Sequence, residues 1–116
     1  MPRRAAALLA VALTATAVAA IAPSALGRSQ AKSTVTATDF KFKVIPARLT
    51  KGIATFTVIN RGEATHDFKI AGKKTKILNP GQRTTLKVSL KKGTYAYLCT
   101  VPGHAALGMK GKVVVR

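Results

Sequence analysis

Apolar and polar residues alternate along most of this chain with a period of two, as in "FKFKVIPARL" (40–49) and "TLKVSLKKG" (85–93). That period places successive side chains on opposite faces of a strand, whereas a helix repeats at about 3.6 residues. Strands are expected near 33–45, 53–60, 66–71, 83–90, 94–99 and 111–116. Turn-forming clusters separate them: "TKG" (50–52), "NRGEA" (60–64), "NPGQ" (79–82) and "KKG" (91–93). No stretch repeats, and none has the composition of a linker. Six or seven strands at this spacing predict an all-β sandwich of two packed sheets with Greek-key connections. Its core should draw on Phe40, Phe42, Val44, Ile53, Phe56, Val58, Leu86, Val88, Leu90, Tyr97 and Val113 to Val115.

The alternation does not reach the N-terminus. There Arg3 and Arg4 precede an apolar run from Ala5 to Ala22, which is followed by small residues. That is the layout of an export signal. The run is Ala-rich, spans 18 residues and is closed by Pro23 and Ser24, which favours cleavage over a membrane anchor. Cleavage is expected after Gly27, with Ala31 the second candidate, and no cysteine stands near the signal to take a lipid. The chain then divides into a signal peptide, 1–27, and a single domain, 28–116. The domain is expected in a periplasm or outside the cell, soluble or peripherally associated with the cell surface.

Such a small domain builds only a modest core, so a bound metal would help it fold. Cys99 is the sole cysteine, which excludes an internal disulfide. In an exporting compartment a free thiol is prone to oxidation, so ligation or burial is expected to protect it.

Charge adds a second theme. The chain has 20 Lys and Arg against 3 acidic residues, a formal charge of +17. Losing Arg3 and Arg4 with the leader still leaves +15, from 18 basic residues and the same 3 acids. Acidic proteins, anionic lipid or wall polymers and nucleic acid would all be drawn to such a field. The lysines alternate with apolar residues, which is also how a sheet coats its solvent face and protects its edges. Interleaved surface aromatics and known nucleic-acid motifs are missing, which argues against nucleic-acid binding.

The chemistry concentrates in "YLCTVPGHAALGM" (97–109), where Cys99, His104 and Met109 fall on a strand end and the loop after it. Pro102 and Gly103 turn the chain back there, so that His104 and Met109 face Cys99. His66 begins "HDFKI" upstream, where an adjacent strand would bring it to the same end of the sandwich. Singly, each residue has a plainer explanation: a buried small thiol, a gap-filling methionine, an ordinary histidine. Together, one thiolate, two imidazoles and a thioether suit copper in a trigonal His₂Cys arrangement with a long axial Met bond. Zinc is the competitor, although thioether is a poor zinc ligand and structural zinc sites usually carry more cysteines. Iron–sulfur and haem attachment need cysteines that are lacking. The scattered acids, with neither a Ser–His–Asp order nor a phosphate loop, argue against an enzyme.

Three segments resemble the cupredoxins, the small blue-copper proteins: "GTYAYLCTVPGHAALGMKGKVVV" (93–115), "FTVINRGEATHDFKI" (56–70) and "LNPGQRTTLKVSL" (78–90). The resemblance implies one type 1 copper held by His66, Cys99, His104 and Met109. The family commonly has Asn after the upstream histidine, where this chain has Asp67. That Asn ties the two ligand loops together, a task Asp67 would perform by accepting hydrogen bonds from Thr100. An ionised carboxylate there should favour Cu(II) and lower the reduction potential. The implied function is one-electron transfer between redox partners. The implied docking site is an apolar patch around His104, formed by Val101, Pro102, Ala105, Ala106 and Leu107, with a basic rim steering an acidic redox protein. The chain is expected to be a monomer, with electrostatic association to an anionic membrane or wall. A second class is copper scavenging, storage or delivery. A third, an adhesive protein for anionic surface polymers, is disfavoured by the intact ligand set.

Overall fold

The computed structural model describes residues 10–12, 14–16 and 30–116. The leader expected over 1–27 lies outside the described residues apart from the two short stretches. Alternation is clearest in the longest strands, where one face meets a core and the other meets water. Among the described residues nine strands follow in chain order: β1 (Gln30–Thr38), β2 (Lys41–Ile45), β3 (Arg48–Leu49), β4 (Gly52–Asn60), β5 (Lys69–Ile70), β6 (Lys73–Lys74), β7 (Arg83–Leu90), β8 (Gly93–Leu98) and β9 (Lys110–Val115). In β4, Ala54, Phe56, Val58 and Asn60 are buried while the residues between them are not.

The strands form two sheets, one in the order β2-β1-β4-β7 and the other β3-β9-β8-β5-β6. β1 runs parallel to β4 and antiparallel to β2, and β3 runs parallel to β9. This is the two-sheet all-β sandwich expected. The four edge strands each carry exposed basic residues: Lys41 and Lys43 on β2, Arg83 and Lys87 on β7, Arg48 on β3, Lys73 and Lys74 on β6. Charge on an edge discourages further strand pairing.

Between the sheets Phe68 meets Phe42, Phe56 and Tyr97 at ring-centroid distances of 5.5, 5.4 and 5.3 Å. Tyr97 pairs across the ladder with Gly111, and a Cβ at Gly111 would run into the tyrosine ring. The glycine therefore lets an aromatic ring lie across its strand.

Several expectations are corrected. Residues 33–45 are not one strand but a hairpin, turning at Asp39 and Phe40. Phe40 sits on that turn, 37% exposed, and Ile53 lies on the outer face of β4, 52% exposed, so neither belongs to the core. Within 66–71 only Lys69–Ile70 is a strand, while His66 forms an isolated bridge with Leu78. The core instead takes Val35, Leu49, Phe68, Ile70 and Leu78 alongside the expected Phe56, Val58, Val88 and Leu90.

The registers gather one set of connections at one end of the sandwich. Thr38 opposes Lys41, Ile59 opposes Arg83, and Leu98 opposes both Lys69 and Lys110. Residues 39–40, 61–68, 79–82 and 99–109 therefore share that end.

Candidate metal centre

His66 is fixed through its backbone before its ring is considered. Its amide donates to the Leu78 carbonyl at 3.1 Å, and Leu78 donates back at 2.8 Å. The preceding loop is held by Asn60, wholly buried at the end of β4. Asn60 Nδ2 donates to the Ala64 and Leu78 carbonyls, each at 2.9 Å, and its Oδ1 accepts the Gly62 amide at 2.9 Å. Every polar group of that side chain is thus used, as burial requires.

Cys99 follows directly on β8, and its amide donates to the Met109 carbonyl at 3.0 Å, closing the loop between β8 and β9. Inside the loop the His104 amide donates to Val101 O at 3.1 Å, and the Met109 amide donates to His104 O at 3.2 Å. These turns present the thiol and the second imidazole on the same side. Cys99 and Met109 are both buried, packed in one cluster with Ala37 and flanked by Val101. His104 remains half-buried.

The ligating atoms converge. His66 Nδ1 lies 3.1 Å from His104 Nδ1, and Cys99 Sγ lies 3.6 Å from His104 Nδ1. One donor from each of His66, Cys99 and His104 lies within 4.8 Å of the others. Bonds of about 2.0–2.3 Å to a common ion place neighbouring donors roughly 3–4 Å apart, so the spacing fits a single metal. The donor set, two imidazoles and a soft thiolate, suits copper. Burial pushes the Cys99 thiol above its ordinary pKa, with the nearby Asp67 carboxylate adding to the rise through its charge. An ion binding there therefore displaces a proton.

Both remaining acids of interest stand at this site. Asp67, buried, accepts the Thr100 amide at 2.6 Å and also the Thr100 hydroxyl. Asp39, on the β1–β2 turn, places Oδ1 2.7 Å from His66 Nε2. That hydrogen bond, joined by one from the Glu63 amide, holds the Asp39 carboxyl below its usual pKa. Phe40 stands beside it, its ring 4.9 Å from His104 and 6.2 Å from His66, edge-on to both. Asp39 and Phe40 were not anticipated as site residues. A faint signal existed, since Asp is a turn former and one of only 3 acids in the chain.

Comparison with known proteins agrees with this geometry. Residues 53–116 match the family of copper-binding proteins described as plastocyanin/azurin. The chain belongs to the plastocyanin/azurin family of copper-binding proteins. Over 24 residues, 21% of the chain, it is 67% identical to a rusticyanin of Acidithiobacillus ferrooxidans, and the matched segment spans 13% of that protein's length. Among solved structures, rusticyanin from Thiobacillus ferrooxidans superposes with a TM-score of 0.62 at 26% identity, covering 76% of this chain and 78% of that one. Auracyanin A, a "blue" copper protein from Chloroflexus aurantiacus, shares the fold, with a TM-score of 0.61 at 19% identity over 75% of this chain and 99% of its own. Within this copper-binding family, His66, Cys99 and His104 form a cluster fitting one type 1 site.

Proposed function

We propose that the protein is an exported blue-copper carrier that passes single electrons between redox partners. The observation that carries the reading is the convergence of His66 Nδ1, Cys99 Sγ and His104 Nδ1 at one buried end of the sandwich. Copper would be held by these three together with Met109, and would supply reversible one-electron chemistry there. The chain's own work is to keep the donors still. Leu78 pins His66, Met109 O pins the Cys99 amide, and Asp67 bridges the two ligand-bearing segments through Thr100. Ligands held in place by the fold need little rearrangement when the charge of the bound ion changes.

Electrons enter and leave at the half-buried His104. Around it Pro102, Ala106 and Leu107 are exposed, Leu107 by 63%, and supply an apolar contact surface. Exposed Lys41, Arg61, Arg83 and Lys110 flank the same end and steer an acidic redox protein to it. The apolar leader supports export, and among the described residues no helix is long and apolar enough to cross a membrane. The remaining positive surface would hold the protein to an anionic membrane or wall.

The deciding experiment is a visible absorption and electron paramagnetic resonance spectrum of the protein after Cu(II) addition, with Cys99→Ser beside it. An intense thiolate-to-copper band with small hyperfine splitting, both lost in the variant, is the expected result. A colourless protein, or weak absorption indifferent to the substitution, would move Cu(I) handling or zinc to the front.

A further inference from the structure

Two of only 3 acidic residues, in a chain with 20 lysines and arginines, stand at the metal centre. Asp67 reaches it through Thr100, but Asp39 touches a ligand directly. We propose that Asp39 is a positioning residue of the centre: its carboxylate holds His66 in the Nε2–H tautomer, aims the Nδ1 lone pair at the metal and strengthens that nitrogen as a donor to the oxidised ion. The inference rests on the copper-carrier reading above and gives its upstream histidine a second partner.

Three observations carry it. A neutral imidazole has one N–H and one bare nitrogen, and the nitrogen facing a carboxylate takes the proton. Nε2 faces Asp39 Oδ1 at 2.7 Å, which leaves Nδ1 bare on the side where His104 and Cys99 converge. The carboxylate is itself held, because Oδ2 accepts the Glu63 amide at 3.0 Å and Oδ1 also accepts the Ala64 amide at 3.2 Å. Asp39 thereby joins the β1–β2 turn to the loop that leads into His66, across 27 positions of sequence. Finally, the chain leaves room for the contact. A Cβ at Gly62 would run into Asp39 Oδ1 and stand 2.9 Å from His66 Nε2. Gly62 has no positive φ, so a side chain there would disturb this pair rather than the backbone.

Two variants separate a positioning role from a merely structural tie. Asp39→Asn keeps the size and an acceptor oxygen but removes the charge, while Gly62→Ala keeps the carboxylate and displaces it. The first readout is the imidazole tautomer in the metal-free protein, by long-range proton–nitrogen NMR. His66 is expected to carry its proton on Nε2, and a proton on Nδ1 overturns the proposal. The second is the reduction potential of the copper-loaded protein. Each variant is expected to shift the oxidised-to-reduced equilibrium about tenfold toward the reduced form, 59 mV for one electron. Folded variants with lowered stability but an unmoved potential would reduce Asp39 to a structural tie. If Asp39→Asn does not fold, Gly62→Ala and the native tautomer carry the test. Absence of a thiolate-to-copper band in the native protein would defeat the carrier reading, while the metal-free tautomer still decides the role of Asp39.

Discussion

The buried carboxylate of Asp67 accepts both the amide of Thr100, at 2.6 Å, and the hydroxyl of the same residue. It thereby joins the neighbour of His66 to the neighbour of Cys99, so two ligands far apart in sequence move as one. Asp67→Asn preserves this tie, with Oδ1 accepting the amide and Nδ2 donating to the hydroxyl, while removing a negative charge. A unit charge acting over several ångströms through an effective dielectric of about 20 is worth ~2 kcal/mol, on the order of 100 mV for one electron. The reduction potential is therefore expected to rise by roughly that amount, because the oxidised ion loses more stabilisation than the reduced one. Redox titration of the two proteins measures it. An unchanged potential would mean that the carboxylate exerts no net charge on the metal.

Asn60 tests the scaffold rather than the electronics. Asn60→Ala leaves the Ala64 and Leu78 carbonyls and the Gly62 amide without their side-chain partner at a buried end of β4. Leu78 O keeps the His66 amide, so the loss falls on the Gly62 amide and the Ala64 carbonyl. Each buried group left unpaired costs about 1–3 kcal/mol, moderated where water enters. A loss of roughly 3 kcal/mol is expected in urea unfolding of the metal-free protein. A loss under about 1 kcal/mol would show that the loop before His66 is held by its backbone bridge to Leu78 instead.

How much of this was legible in the sequence depends on the range over which each feature is determined. Cys99, His104 and Met109 stand close together in a chain nearly devoid of such residues, so their grouping was visible without a fold. β4 and β7 were visible because each buries one face and the alternation records it. The β1–β2 turn was not, because no glycine or proline marks it, and its only trace is a one-residue slip in the alternation, the apolar positions passing from Val35 and Ala37 to Phe40, Phe42 and Val44 across Thr38 and Asp39. Strands of two residues such as β3, β5 and β6 are set by the neighbours they pair with, not by their own pattern. Asp39 and Asn60 act through partners that only the folded chain assembles.

Phe68 is the most interconnected aromatic side chain, with rings of Phe42, Phe56 and Tyr97 around it and no exposed surface. Phe68→Ala is expected to cost about 3–5 kcal/mol through lost burial and the cavity left behind. Phe68→Leu, which refills most of the space, should recover more than half of that in the same unfolding experiment. Similar losses in both would point to aromatic ring contacts, not volume, as the source of the stability.

Copper should stabilise the fold in proportion to its affinity, since the site is assembled only in the folded chain. With free copper at about 100 times the dissociation constant, the gain is about 2.7 kcal/mol. The melting temperature is expected to rise with copper concentration in the native protein, and much less in Cys99→Ser. Equal rises in both would mean that the metal stabilises the fold from somewhere other than this centre.

The last prediction concerns how a partner finds the site. Arg61 and Arg83 are exposed at the end that carries the metal centre and line a groove of about 470 Å³ with Ile59, Asn60, Gly62 and Gly81. Lys91 and Lys92 lie in the turn between β7 and β8 at the opposite end. Reversing either pair to Glu changes the net charge equally. Exposed charges are screened within about 8 Å at physiological salt, so only the pair near the docking surface should govern encounter there. Reduction and oxidation by iron hexacyanide, an anionic probe, is expected to slow several-fold in Arg61→Glu/Arg83→Glu and to lose most of its salt dependence. Lys91→Glu/Lys92→Glu should react nearly as the native protein does. Stopped-flow traces across ionic strength decide the matter: equal slowing in both variants would assign steering to the total charge of the molecule rather than to the rim beside His104.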